Sequence, residues 1–77
     1  MEGLGPGTEH AVKIFVNGER AESEDGGTVH DLIERLALSP ETTLVELNGI
    51  ALRPSEWTMQ SLRENDRLEF LRVAAGG

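Results

Sequence analysis

The sequence predicts an α+β domain in which one helix packs on one face of a mixed β-sheet. Two dipeptides, Asn17-Gly18 and Asn48-Gly49, each stand between short apolar runs and favour type I′ hairpin turns. Between these hairpins, apolar residues recur at the spacing of a helix, and the alternating run Arg67–Val73 adds a last strand. A helix that connects two hairpins covers one face of the sheet that they form.

The first hairpin begins with the run Val12–Val16, whose residues alternate between two faces. This parity predicts that Ile14 points to the core and that Phe15 points to the opposite face. The run Glu19–Glu22 is the predicted return strand. It is short and polar, which is typical of a strand at the edge of a sheet.

The helix has a clear predicted start. Thr28 is its expected N-cap, and Asp31 stands three positions later, where its carboxylate completes a capping box. Pro40 cannot continue a helix, so we expect the helix to end near residues 36–38. The side chains predicted to face the core are Val29, Leu32, Ile33 and Leu36.

The second hairpin pairs Thr43–Leu47 with Ile50–Leu52, and Val45 and Leu47 are expected to face the core. The segment Pro54–Trp57 predicts a turn or a single helical turn, with its tryptophan packed under the sheet edge rather than stacked on a ligand. We expect the last strand to lie beside the first and parallel to it.

Four apolar residues fall by parity on the sheet face that the helix does not cover. They are Phe15, Leu44, Leu71 and Val73. Apolar side chains grouped on one exposed face mark interaction sites. We therefore predict that they form a patch on which partner proteins dock.

The composition excludes several classes of function. The chain has 77 residues, which suit one domain, and its formal net charge is −7. This acidic balance argues against binding to nucleic acid and to anionic membranes. No apolar run approaches a membrane span, and no signal peptide is recognisable. We expect a cytoplasmic protein.

No catalytic constellation is recognisable in the residues. The absence of cysteine excludes disulfides and a thiol nucleophile. His10 and His30 lack the clustered spacing of metal ligands, so no metal site is expected. We expect the chain to act as a partner or a substrate, not as an enzyme.

The two ends differ from the central domain, which we place at residues 12–73. Residues 1–11 are rich in glycine and polar side chains and predict a disordered leader. Residues 74–77 predict a flexible tail. Gly76 and Gly77 have no Cβ, so this tail can thread a narrow channel, and Gly76 and Ala75 are the residues expected to pass its entry. At about 3.4 Å per residue it projects the terminal carboxylate roughly 14 Å.

Three stretches carry a resemblance to a known family. Residues 28–32 open the helix as Thr-Val-His-Asp-Leu, residues 46–48 read Glu-Leu-Asn, and residues 65–77 run from Asn-Asp-Arg-Leu-Glu-Phe to Val-Ala-Ala-Gly-Gly. In this combination residues 12–77 resemble the ThiS family, the small sulfur carriers of thiamine thiazole synthesis. Arg53-Pro54 reverses the order found in many members, and residues 1–11 have no counterpart there.

The resemblance implies a ubiquitin-like β-grasp fold and a carrier role. It implies that a ThiF-like enzyme adenylates the carboxylate of Gly77 with ATP. Sulfur from a donor system then converts it to a thiocarboxylate, which a ThiG-like thiazole synthase uses. The carrier itself needs no cofactor, because the activating partner uses the ATP.

Three alternatives stay open. A MoaD-like small subunit of molybdopterin synthase shares the fold and the tail, although Leu71-Arg72 stands where such chains often have paired prolines. A ubiquitin-like modifier instead forms an isopeptide bond with a target lysine. A plain interaction domain with an accidental Gly-Gly end is the third. The sulfur pathway served, the identity of the partners and the oligomeric state do not follow from the sequence.

Overall fold

The computed structural model describes residues 11–73 of the chain. The predicted tail, and all but the last residue of the predicted leader, lie outside the described residues. The elements in chain order are the strands β1 (Ala11–Val16) and β2 (Glu19–Glu24), the helix α1 (Val29–Arg35), the strands β3 (Thr43–Leu47) and β4 (Ile50–Leu52), a 3-10 helix (Pro54–Glu56) and the strand β5 (Arg67–Arg72). No helix in residues 11–73 is long and apolar enough to cross a membrane.

The five strands form one mixed sheet with the order β2-β1-β5-β3-β4. β5 lies in the centre, parallel to β1 and antiparallel to β3. The predicted pairing of the last strand with the first is therefore confirmed, as is the edge position of β2. β2 extends two residues further than predicted, to Glu24.

The two Asn-Gly turns hold β5 from both sides. Asn17 and Asn48 have φ angles of 51° and 52°, and the glycines after them have φ angles of 85° and 86°, as type I′ turns require. The Oδ1 atom of Asn17 accepts a hydrogen bond from the backbone N–H of Phe70 at 2.9 Å. The Oδ1 atom of Asn48 accepts one from the backbone N–H of Arg67, also at 2.9 Å. Asn17 thus extends the hydrogen bonding between β1 and β5 beyond the end of β1, and Asn48 does the same for β3 and β5.

The helix begins as predicted and ends slightly earlier. The Oγ1 atom of Thr28 accepts from the backbone N–H of Asp31 at 3.1 Å, and the Asp31 carboxylate accepts from the N–H of Thr28 at 3.0 Å. This capping box satisfies two amide groups that the first turn leaves without a partner. α1 ends at Arg35, with Leu36 as its C-cap.

The prediction that Leu36 faces the core is wrong, because 42% of this residue is exposed. Ala37 turns the chain with a φ angle of 58°, and its N–H donates to the carbonyl of Glu34. The N–H of Leu38 donates to the carbonyl of Ile33, which completes a Schellman motif. The chain reverses at this motif, so Leu38 packs against the core in place of Leu36.

The core lies between α1 and one face of the sheet. Its buried apolar side chains are Ile14, Val29, Leu32, Ile33, Val45, Leu47, Trp57, Leu62 and Leu68. Trp57 is 2% exposed, which confirms its predicted packing role. Its indole N–H has no hydrogen-bond partner among the described residues, which costs about 1–3 kcal/mol, so its apolar area must supply the stabilisation.

We expect the replacement of Asn17 by alanine to lower the free energy of unfolding by about 1–2 kcal/mol. Alanine lacks the oxygen that accepts from the Phe70 N–H, and its Cβ is strained at the positive φ of this position. Asn17→Asp keeps the acceptor oxygen and should cost less than half as much. Asn17→Gly loses the bond without the penalty and should fall between the two. Urea unfolding measures all three, and equal stability of the alanine and wild-type proteins would contradict the proposed role.

A second variant tests the end of the helix. Ala37→Gly should raise the free energy of unfolding by about 0.5–1 kcal/mol, because glycine adopts the left-handed conformation without a Cβ clash. Ala51→Gly in β4 is the matched control and should be destabilising. In a strand, glycine relieves no steric clash and only increases the backbone entropy of the unfolded chain. Thermal unfolding of both variants checks the difference in sign.

Candidate functional site

The site predicted from the sequence lies where β5 leaves the sheet. The backbone N–H of Val73 donates to the carbonyl of Thr42 at 2.8 Å, so the pairing continues one residue beyond the end of β5. The path of the chain is therefore set by the sheet as far as Val73. Gly77, Gly76 and Ala75 lie outside the described residues, and their roles remain predictions.

The sheet face opposite α1, called the open face below, carries an exposed leucine pair. Leu44 of β3 and Leu71 of β5 are directly opposite each other in the antiparallel ladder. Leu44 is 53% exposed and Leu71 is 49% exposed. Val73 lies two residues further along the chain and is 39% exposed. The three residues form a compact apolar area at the exit of β5.

Phe15 lies apart from this apolar area. It is half-buried and neighbours Arg67 on β5. Arg67 and Leu71 are four residues apart in sequence, which in a strand corresponds to about 13 Å. The four apolar residues predicted to form one patch therefore share a face without forming a continuous surface. Their role in docking remains a prediction.

An acid pair separates Phe15 from the leucine pair. Glu46 of β3 and Glu69 of β5 are directly opposite each other, one row along the open face from the leucine pair. Both carboxylates, with Phe15 and Arg67, border an open hollow of about 620 Å³ near the two Asn-Gly turns. In the part of the chain that the structure describes, the one contact within 4.0 Å between a basic and an acidic side chain is that of His30 with Glu34, on the helix.

The acid pair was not predicted from the sequence as part of the site. Alternation along β3 already placed Glu46 on the same side as Leu44. What it did not show was the register between β3 and β5, which brings Glu46 opposite Glu69 across 23 residues of chain. The sequence signal that could have revealed the pair is that, in each of the two strands, a glutamate stands two residues from a leucine predicted to face away from the core.

The side chains at the start of the helix do not add a second site. The ligand atoms of His30, Asp31 and Glu34 lie within 4.8 Å of one another, and the Nε2 atom of His30 is 3.6 Å from a Glu34 carboxylate oxygen. The Asp31 carboxylate is already engaged by the N–H of Thr28. The closeness of these three side chains follows from the capping role of Asp31 and from the spacing of one helical turn between His30 and Glu34.

Two solved structures share this fold. A crystal structure of the thiamine biosynthesis protein ThiS from Geobacter metallireducens has a TM-score of 0.70 and 30% sequence identity, and the match covers 86% of this chain and 100% of that one. A solution structure of a thiamine biosynthesis protein from the same organism has a TM-score of 0.66 and 30% identity, with 86% and 88% covered. The match confirms the predicted ubiquitin-like β-grasp fold.

Two further proteins are similar in sequence. A thiazole synthase from Magnetococcus marinus is 32% identical over 66 residues, which are 86% of this chain and 20% of that protein. The uncharacterized protein ycf40 from Trieres chinensis is 22% identical over 67 residues, which are 87% of this chain and 92% of that protein. This chain thus spans about a fifth of the thiazole synthase that it matches.

The sequence model of the ThiS family matches residues 9–77, which include β1 to β5 and the glycines at the end of the chain. The strand order, the packing of α1 on one face of the sheet and the structural similarity to ThiS agree with this match. The chain belongs to the ThiS family.

Proposed function

We propose that this protein is a sulfur carrier of thiamine thiazole biosynthesis and that the carboxylate of Gly77 bears the sulfur. The observation that carries the proposal is the family match, which extends through the terminal Gly-Gly. The similarity to thiamine biosynthesis proteins and to part of a thiazole synthase supports the pathway.

The chemistry requires two steps at the carboxylate. An oxygen of the Gly77 carboxylate attacks the α-phosphorus of ATP, and pyrophosphate leaves, which gives an acyl-adenylate. A sulfide equivalent from the donor system then attacks the acyl carbon, and AMP leaves with the carboxylate oxygen that had attacked phosphorus, while the second oxygen stays on the carbon. The product is a thiocarboxylate. Adenylation is needed because a free carboxylate is a poor electrophile, whereas AMP is a good leaving group. The chain has no cysteine on which to hold a persulfide.

The geometry of β5 suits this delivery. The last hydrogen bond that the structure describes in this strand is that of Val73 to Thr42. Four residues follow in the sequence, and a fully extended stretch of that length would span at most about 14 Å. A fixed strand followed by a short arm of small residues allows a partner to bind the domain and the carboxylate at two separate places.

We propose that catalysis belongs to the partners of this carrier. A ThiF-like enzyme would bind ATP and adenylate Gly77, and a ThiG-like thiazole synthase would take the sulfur. The leucine pair and Val73 would dock these enzymes, since exposed apolar side chains near the exit of the tail supply contact area next to the reacting group. We place this exchange in the cytoplasm.

Two other functions predict different products. A MoaD-like subunit would carry the same thiocarboxylate but pass its sulfur to a pterin precursor. A ubiquitin-like modifier would leave an isopeptide bond between Gly77 and a target lysine. Intact mass of the carrier, measured after incubation with ATP, a sulfur source and the adenylating enzyme, detects the exchange of oxygen for sulfur. Subsequent transfer to each acceptor distinguishes the pathways.

We expect Gly76→Val and the deletion of Gly77 to abolish adenylation without lowering the melting temperature. Valine fills space and restricts φ where the tail must pass a narrow channel. The deletion shortens the arm by about 3.4 Å, whereas reacting atoms must approach to about 3–3.5 Å. Exchange of labelled pyrophosphate into ATP measures the adenylation step.

Two controls accompany these tail variants. Ala74→Gly changes the tail outside the two glycines and should remain active. A chain extended beyond Gly77 should be inert, because its carboxylate is misplaced although every native residue is present. A deletion variant that still exchanges oxygen for sulfur at its new terminus would contradict the assignment of Gly77.

Leu71→Glu should weaken binding to the adenylating enzyme and to the thiazole synthase by about 1–2 kcal/mol or more, as is typical of an interface anchor. Met59→Glu is the matched control, because Met59 is 76% exposed and lies outside the five strands. Titration calorimetry measures both affinities, and circular dichroism verifies the fold. Unchanged affinity of the Leu71 variant for both enzymes would exclude the leucine pair as an anchor.

A further inference from the structure

The acid pair on the open face has an unusual position for two like charges. Glu46 and Glu69 are directly opposite in the β3–β5 ladder, where side chains approach closely. Like charges at such positions destabilise a sheet. Among residues 11–73, no lysine or arginine nitrogen lies within 4.0 Å of either carboxylate. Two carboxylates thus occupy opposed positions on the open face, and no described lysine or arginine pairs with either of them.

The acid pair and the leucine pair belong to the same surface. They occupy neighbouring rows of the ladder, so their side chains are separated by only about 7 Å along the strands. A specific interface covers about 800 Å² on each partner, which corresponds to a disc of roughly 16 Å radius. An interface centred on Leu44 and Leu71 therefore also covers Glu46 and Glu69.

A partner that covers two facing carboxylates must compensate their lost hydration. Buried charges are tolerated only when they are paired, and an apolar or acidic partner surface would leave both unpaired. One guanidinium or ammonium group between the two carboxylates would bond to both and remove their repulsion. Arginine suits this position best, because its planar fork donates to two acceptors at once.

We propose that the open face docks a basic surface of the thiazole synthase. This surface places an arginine or lysine between Glu46 and Glu69 and sets apolar side chains against the leucine pair. The inference rests on the proposed function, since it specifies how the sulfur acceptor recognises the carrier. The acid pair then selects the partner and orients it relative to the exit of β5.

Arg67 is the internal competitor for the acid pair. It lies on the same face, two residues from Glu69, and borders the same hollow. Its guanidinium could move to the carboxylates when a partner excludes water. The source of the cation can be tested by removing Arg67. If Arg67 neutralises the two acids, its removal weakens binding to the partner. If the partner supplies the cation, its removal leaves the affinity unchanged or raises it.

The experiment measures the affinity of the full-length carrier for the thiazole synthase from the same genome by titration calorimetry, at low and physiological salt. The test variant is Glu46→Gln with Glu69→Gln, which keeps side-chain size and removes two charges. The matched control, Asp25→Asn with Glu34→Gln, removes two charges at exposed sites away from the open face. Arg67→Gln is the third variant. The adenylating enzyme is titrated in parallel.

We expect the acid-pair variant to bind the synthase at least about tenfold more weakly and to lose most of its salt dependence, because truncating one side of a covered charge contact is costly. The same variant should melt about 2–4 °C higher than the wild type, since the repulsion is gone. The control should bind as the wild type does. Arg67→Gln should bind equally well or more tightly.

Four outcomes would overturn the inference. They are equal affinity of the acid-pair and wild-type proteins, an equal loss in the matched control, a loss in Arg67→Gln as large as in the acid-pair variant, and a loss confined to the adenylating enzyme. Each of these leaves the proposed function intact, because the wild-type carrier still binds. A wild-type carrier that neither binds the synthase nor forms a thiocarboxylate would instead refute the proposed function, and this inference with it.

Discussion

The central position of β5 is the constraint on which the other features of this domain depend. This strand pairs in parallel with β1 over only two residue pairs and antiparallel with β3 over five. Asn17 and Asn48 extend both ladders with side-chain oxygens at the points where β1 and β3 turn away. The first half of β5 is thus held on both sides, whereas its exit from Leu71 to Val73 is held by β3 and by the carbonyl of Thr42. These bonds set the direction in which the chain leaves the sheet. The protein is proposed to act through the residues that follow β5, so the direction in which the chain leaves this strand matters for its function.

The two faces of the sheet serve different purposes. One face buries the core against α1, and with 77 residues and no disulfide nearly all the stabilisation must come from that packing. The open face leaves Leu44 and Leu71 exposed and places the like-charged Glu46 and Glu69 on opposed positions. Such positions are unfavourable for a sheet and are tolerated on surfaces that bind another protein. The separation allows the open face to vary without loss of the fold.

Small features at the ends of elements decide how the open face meets the rest of the molecule. The Schellman motif at Ala37 reverses the chain directly after Leu36, so that Leu38 packs against the core and Leu36 borders a groove beside Leu71. The capping box at Thr28 fixes the other end of the helix. Hydrogen bonds of the capping box and of the Schellman motif thus define both ends of the helix. Leu44 and Leu71 themselves lie on paired strands and not on a loop.

The sequence by itself determined the elements, because their signals are local. Both Asn-Gly turns, the Thr28 cap, the alternation in each strand and the resemblance to the ThiS family were readable from short stretches of residues. Only the tertiary structure decided that Leu36 is exposed, that Phe15 lies apart from Leu71, and that Glu46 faces Glu69. These facts depend on a left-handed residue at a helix end and on the register of strands distant in sequence. Alternation along one strand assigns a side chain to a face, whereas its neighbours on that face are chosen by strand pairing.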